Sequence, residues 1–390
     1  MTTEELLKKF EDIFGSGNEP QMFFAPGRVN LIGEHIDYNG GCVLPAALGI
    51  GITALVRPNN SSVVEMKSLY TKGFVRIDLN HKIEAFENDW GNYPKGVIAY
   101  LLKENQKLKG CSILFYTTLP AGSGLSSSAA LEVLTAFLML KIANEKINPV
   151  EIAQLCQRVE NEFINVSCGI MDQFSVAMGK ENCAILLNCH SLEHQYVPLN
   201  LNEYSLVIMN TNKKRELASS KYNERKNECD AVLNELQNHY PISSLCDAEL
   251  YQVELHIINE TLKKRARHVI SENVRVNESM EALKNNNLKK FGALLTASHL
   301  SLKNDYEVSG FELDTIVAES MKIKSCIGAR MTGAGFGGCA IALVESASIE
   351  EFKEKVSALY YNQTSIIPAF YESKIGDGVR ELSFDLTVKS

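Results

Sequence analysis

Hydrophobic and polar positions change their period several times along this chain, and each change marks an element. Leu6, Leu7, Phe10, Ile13 and Phe14 recur at helical spacing behind Thr2 and Glu5, a capping-box pair, so the chain is expected to open with a helix. A strand-like run over 23–33, bent at Pro26 and Gly27, then breaks into a polar burst over 34–41. Apolar, β-rich runs at 42–56, 62–69, 74–79 and 111–118 predict strands, with a helical segment over 95–107 before the last of them. A helix is predicted over 129–146. A second starts at Asn148, with Pro149 at its first position and Glu151 in its first turn, and runs to about Ile164. Strands near 183–189 and 204–210 complete a first half that alternates sheet and helix. Beyond about Thr211 the texture changes to long 3.6-period segments at 213–237, 259–285, 288–302 and 310–324. A Gly-rich turn over 328–338 leads into a strand at 339–344, a helix at 349–359 and a strand-rich tail over 365–385. This alternation predicts a mixed α/β or α+β class, with a boundary near residues 200–212.

Composition narrows the function classes. At 390 residues two domains are the default. A net charge of −8 with no long Lys/Arg block argues against a nucleic-acid partner, since the short basic runs 213–215 and 263–265 read as solvated helix faces. Glu4, Glu5, Glu11 and Asp12 argue against a signal peptide, and the longest uncharged apolar run, 42–56, is too short for a membrane span. The ten cysteines show no C-x-x-C spacing and read as reduced thiols of a cytoplasmic protein. Cys183, Cys189, His190 and His194 have zinc-like spacing, although a strand end followed by a polar turn explains them as well.

The candidate chemistry lies in four places. Leu119-Pro-Ala-Gly-Ser-Gly-Leu-Ser-Ser-Ser-Ala-Ala-Leu131 joins a strand to a helix through glycines and serines. Its first-turn amides and the helix dipole suit a phosphate, so Gly122, Ser123, Gly124, Leu125, Ser126, Ser127 and Ser128 are read as a phosphate cradle. No P-loop lysine is present, and a cation held by Ser128 and one carboxylate, Glu160, fits that need, although spacing alone reads Glu160 as a surface residue like Asn161 and Glu162 beside it. In the polar burst, Arg28, Glu34, His35, Asp37, Tyr38 and Asn39 offer donors and acceptors suited to sugar hydroxyls; a solvated turn closed by Asn39, Gly40 and Gly41 is the competing reading. Asp172, in an otherwise apolar loop, would make an acid/base–cation pair with Arg28. The turn at 333–338 fails as a dinucleotide fingerprint because a strand follows it, and is read as a close backbone approach to a ligand.

Five motifs resemble one family in its order. The run Pro120 to Ala130 looks like the nucleotide-binding motif of the GHMP small-molecule kinases, and Gly27-Arg-Val-Asn-Leu-Ile-Gly-Glu-His-Ile-Asp-Tyr38 is similar to the galactokinase signature. Cys168-Gly-Ile-Met-Asp-Gln-Phe174, Tyr222-Asn-Glu-Arg-Lys-Asn-Glu-Cys229 and Gly328-Ala-Arg-Met-Thr-Gly-Ala-Gly-Phe-Gly-Gly-Cys339 match the remaining motifs. The resemblance implies an α+β, two-domain fold. A mixed-sheet, ribosomal-protein-S5-like domain (1–205) would face a ferredoxin-like one (206–390), with the active site in the cleft between them. It also implies ATP-dependent phosphorylation of α-D-galactose at its anomeric hydroxyl. Asp172 would then be the base and Arg28 the transition-state cation. Glu34, His35, Ile36, Asp37 and Tyr222 would hold the sugar. Residues Gly122 to Ser128 would bind ATP, and Ser128 with Glu160 would hold Mg²⁺. A monomer is expected. Position 36 is Ile where the signature has Thr, as in the sister N-acetylgalactosamine kinases. Galactose sensors share the fold without catalysis, but the complete run Ser126 to Ala130 favours an enzyme.

Overall fold

The computed structural model of the chain describes residues 1–87, 89–120, 122–213 and 218–384, with side chains of the helix that begins at Ala218 described from residue 221 onward. Ala121 of the cradle, residues 214–217 of an expected helix, and Asp385 of the expected tail lie outside the described residues.

Helix α1 (Thr3–Phe14) opens on the capping box of Thr2 and Glu5. Strands β1 (Gln21–Asn30), β2 (Cys42–Val43), β3 (Pro45–Pro58), β4 (Val63–Ser68) and β5 (Val75–Asp78) follow, then α2 (Asn92–Lys103) and β6 (Cys111–Thr117). Five of these strands, with a thirteenth from the end of the chain, form a six-stranded sheet; its pairings are antiparallel except for the parallel pair of β4 and β6. Period-2 alternation explains why its central strands read as continuous apolar runs. Met22, Leu55 and Leu114 face α1 and pack on Leu6 and Phe10, whereas their neighbours Phe23, Ala54, Val56 and Ile113 face the main core. Both faces are covered, so neither needs polar residues.

The register of β1 on β3 shifts between Pro26 and Arg28. Gly27 sits at that bulge because a Cβ there would meet Leu119 Cδ2 at 2.5 Å and the Leu125 carbonyl at 2.8 Å. The bulge lets the cradle approach and re-aims Arg28. Helix α3 (Ser127–Ala143) follows β6 at the cradle. Helix α4 (Pro149–Arg158) is capped by Asn148 and runs into a widened i→i+5 turn over Val159–Ile164; α5 (Met171–Met178) comes next. The capped start at Asn148 and the end at Ile164 match the expectation, whereas the widening was invisible to periodicity.

Strand β7 (Cys183–Asn188) joins β2 and β8 (His194–Pro198) in a small sheet, and β9 (Tyr204–Asn210) begins a four-stranded one. Cys183 pairs with Pro198 while Leu187 pairs with His194. The strand therefore sets Cys183 about 13 Å or more from Cys189, His190 and His194, which corrects the zinc reading. The chain then runs through α6 (Ala218–Gln237), α7 (Leu250–His256), α8 (Glu260–Lys284), α9 (Leu288–Ser301) and α10 (Phe311–Met321) to β10 (Cys326–Thr332) and β11 (Cys339–Glu345). Residues 328–332, expected as part of a turn, are thus strand. Helix α11 (Ile349–Thr364), β12 (Ala369–Glu372) and β13 (Arg380–Leu382) finish the described chain. The second sheet, β10-β11-β9-β12, is antiparallel throughout, and β13 returns to pair with β1 of the first. Among the described residues no helix is long and apolar enough to cross a membrane.

Candidate active site

A cavity of about 630 Å³ is lined by the cradle, the polar burst after β1, the segment 165–169 before α5, Tyr222 of α6, and Gly333 and Ala334 after β10. At its centre Arg28 and Asp172 form a two-pronged pair, Nε to Oδ1 at 2.8 Å and NH2 to Oδ2 at 2.9 Å. The third edge of the guanidinium donates to the Gly124 carbonyl at 2.9 Å, and the Ser126 hydroxyl donates to Asp172 Oδ2 at 2.6 Å. Burial alone would depress the Arg28 pKa, but the carboxylates of Asp172, Glu34 and Asp37 reverse this and raise it, so the group stays charged. The Asp172 side chain keeps 32% of its surface exposed, on the cavity side.

The cradle divides into a working face and a scaffold. Gly122, Gly124, Ser126, Ser127 and Ser128 line the cavity. Ser123 is buried with its hydroxyl on the Pro120 carbonyl at 2.8 Å, and Leu125 is buried with its carbonyl accepting from the Arg28 amide. Ser126 stands at the helix start in the left-handed region, φ 60°, and makes no side-chain cap bond because its hydroxyl serves Asp172. The first amides of α3 are therefore left for an anion.

The polar burst is buried rather than solvated, which overturns the open-turn reading. Glu34 and His35 are 2% and 4% exposed, and a short 3-10 turn over Asp37–Asn39 stands where the competing reading had a solvated turn. Glu34 Oε1 accepts from the Gly333 amide at 2.6 Å and lies 3.3 Å from the buried guanidinium of Arg330. Burial drives the His35 pKa down to about 3, so its ring is neutral. Its Nε2 meets the Ala334 carbonyl at 3.2 Å and must donate; Nδ1 then accepts from the Tyr38 hydroxyl at 2.8 Å, which in turn accepts from Tyr306 at 2.9 Å. Asp37 is half-buried, and desolvation followed by the charge of Asp172 raises its pKa to about 7. Gly169 lies under it, where a Cβ would come within 2.0 Å of Asp37 Oδ2. Tyr222 closes this wall, its ring 5.5 Å from that of His35 and 5.0 Å from that of Tyr38. Ile36 is fully buried behind the turn and does not line the cavity.

Ser128 and Glu160 face each other across the cradle. Burial raises the Glu160 pKa, and hydrogen bonds from Cys168 and Ser128 oppose the rise. Behind them Glu132 is fully buried beside the Gln173 side chain, its hydrogen-bonding neighbour. Burial and then the charge of Glu160 hold its carboxyl well above the usual range. Oxygen donors crowded together without a counter-charge suit a hard divalent cation. Among the described residues no three His, Cys, Asp or Glu side chains form a ready metal cage, which Mg²⁺ held partly by phosphates does not need.

Sequence reasoning missed the groups that hold the burst from behind. On α8, His268 Nε2 donates to the Glu34 carbonyl at 3.0 Å, Glu272 Oε1 accepts the Gly33 amide at 3.0 Å, and Asn273 accepts the Cys42 amide at 2.9 Å. Arg330 of β10 donates to the Asn30 and Leu31 carbonyls at 3.0 and 2.8 Å. Buried polar residues inside otherwise helical or apolar patterns were the only available signal.

Three family descriptions match: the galactokinase galactose-binding signature over residues 8–58, the GHMP kinase N-terminal domain over 92–180, and the GHMP kinase C-terminal domain over 279–362. The galactokinase of Clostridium tetani is 48% identical over 386 residues, 98% of each chain, and that of Clostridium acetobutylicum is 48% identical over 97% of this chain and 98% of its own. The crystal structure of Lactococcus lactis galactokinase complexed with galactose superposes with a TM-score of 0.94 at 42% identity, over 97% of this chain and 99% of that one. A mevalonate kinase, at 20% identity and a TM-score of 0.65 over 90% of this chain and 99% of its own, shares the fold alone. A cavity that joins an arginine–aspartate pair to a Gly/Ser cradle, and near-full-length identity of this order, lead to one assignment: the chain belongs to the galactokinase family of GHMP kinases.

Proposed function

We infer that the protein transfers the γ-phosphoryl group of ATP to the anomeric hydroxyl of α-D-galactose, giving galactose 1-phosphate and ADP. The observation that carries this reading is the Arg28–Asp172 pair, joined through Gly124 and Ser126 to the cradle and facing the buried hydroxyl-binding wall. In the reaction the anomeric oxygen attacks phosphorus, the bond to the β-phosphate oxygen breaks, and the hydroxyl proton passes to Asp172. The transition state of such transfers is loose, so Asp172 orients the hydroxyl as well as accepting its proton, while Arg28 offsets charge on the transferring group. Glu34, Asp37 and Tyr222 bind the sugar hydroxyls, with His35 packed beside them; a site of this kind rejects sugars that leave its groups unpaired. The neutral His35, with its Nδ1 filled by Tyr38, contributes shape and a fixed ring rather than charge.

Mg²⁺ belongs to the same proposal, held by Ser128 and Glu160, where it would neutralise charge on the phosphates. Residues 1–205 and 206–390 act in this reading as two domains around the cleft, in a monomeric cytoplasmic enzyme. A coupled ADP-release assay across galactose, N-acetylgalactosamine, glucose and arabinose tests it. Galactose is expected to give the highest kcat/KM. Preference for N-acetylgalactosamine would transfer the specificity to the sister group, and absence of turnover with every sugar would make the protein a sensor.

A further inference from the structure

Glu132 has no part in the mechanism above, yet its burial sets it apart from an ordinary surface acid. It is fully buried on α3 with the Gln173 side chain as its hydrogen-bonding neighbour, and the charges acting on it are the carboxylates of Glu160 and Asp172. Leaving a buried acid without a counter-charge beside two others is costly unless a positive charge or a ligand arrives. The guanidinium that lines the cavity among the described residues does not fill that role, because Arg28 is committed to Asp172 and Gly124. A second buried group points the same way: Gln173, next to Asp172 on α5, is fully buried with its Oε1 unpartnered.

Position along the helix sets Glu132 behind the cavity wall formed by Ser128 and Glu160. Ser128 and Glu132 are four residues apart on α3, so they share one face, with Glu132 one turn deeper. Glu160 enters from the widened turn over Val159–Ile164, a distortion that occurs often at functional sites. We propose that Glu132 is a positioning residue of the divalent-cation site, supplying a second carboxylate charge behind Ser128 and Glu160, with the Gln173 carbonyl oxygen beside it. The cation keeps several of its waters, and Glu132 accepts hydrogen bonds from that hydration shell. This rests on the reading that Ser128 and Glu160 hold a divalent cation.

The test measures Mn²⁺ binding to the ADP-loaded protein by electron paramagnetic resonance, for the native chain, Glu160→Gln and Glu132→Gln. Glutamine keeps the shape of a buried neutral acid, so a merely structural Glu132 would leave Mn²⁺ affinity unmoved. The expected result is roughly ten-fold or greater weakening in both variants, with metal-free ADP affinity and thermal unfolding preserved in Glu132→Gln. Weakening in Glu160→Gln alone would overturn the role of Glu132 and leave the Ser128–Glu160 site standing. No Mn²⁺ binding beyond that of free ADP, or no effect of Glu160→Gln, would overturn both. If Glu132→Gln does not fold, Glu132→Asp keeps the charge but shortens its reach; unchanged Mn²⁺ affinity in that variant also counts against the proposal.

Discussion

Asp37 shows how one residue of the cavity wall is held at a cost to the empty fold. Its folded pKa of about 7 stands above its ordinary 3.8, because of burial and then the neighbouring Asp172 charge. Between those values the folded chain holds a proton that the unfolded chain has released, so stability falls as pH rises and the full penalty is present above about 7. Asp37→Asn is therefore expected to raise the melting temperature at pH 8 by several degrees, and to change it little at pH 4, while weakening galactose binding. Thermal unfolding at the two pH values checks this; an equal shift at both would show that titration of Asp37 is not responsible. Ile36 illustrates the opposite case. Its difference from the family signature is plain in the sequence, but the side chain lies in the core, so any influence on sugar choice passes through the turn that carries Asp37.

Helix α8 is the element that fixes the polar burst, and it was legible only in part. Its 3.6-residue apolar period and its Asn259 cap predict the helix over nearly its full length. Period alone does not say that His268, Glu272 and Asn273 turn inward to hold Glu34, Gly33 and Cys42, since polar residues on a helix normally face solvent. Glu272 is fully buried and also takes Ser298 and Arg275 at 2.6 and 2.7 Å; Arg275, His268, Arg330 and these hydrogen bonds pull its pKa down to about 2 against the effect of burial. Glu272→Ala is expected to lose about 3–5 kcal/mol of stability and to raise the KM for galactose more than it lowers kcat. Denaturant unfolding and steady-state kinetics measure both; a loss below about 1 kcal/mol would contradict the assigned role. Elsewhere, caps and glycines marked element ends well at Thr2 and Asn148. Short pieces such as α7 and β8 escaped because seven helical or five strand residues carry too little period to read. The strand over 326–332 was hidden by its own small residues, which resemble the turn that follows it. The Arg28–Asp172 pair was legible as residue types. Its closure through Gly124 and Ser126 was not, because β1 and the cradle meet only in three dimensions.

On the scale of the whole molecule, the two halves of the chain share one continuous core that runs from Phe23 to Ile375, and β13 returns to pair with β1. Arg330 and Thr332 of the second sheet grip the end of β1 directly. A single cooperative calorimetric transition is expected, and a chain ending at residue 379 should melt lower because the edge of β1 is uncovered; two resolved transitions would contradict a shared core. The same arrangement brings together the groups around Asp172: Arg28 from the bulge in β1, Gly124 and Ser126 from the cradle, and the aspartate itself from α5. The most direct test of the account is single-turnover phosphoryl transfer by Asp172→Asn at saturating ATP and galactose. The expected result is a rate about 10² to 10⁴ lower, with galactose binding by calorimetry kept within a few-fold. A variant that transfers phosphate within ten-fold of the native rate would remove Asp172 from the centre of the mechanism.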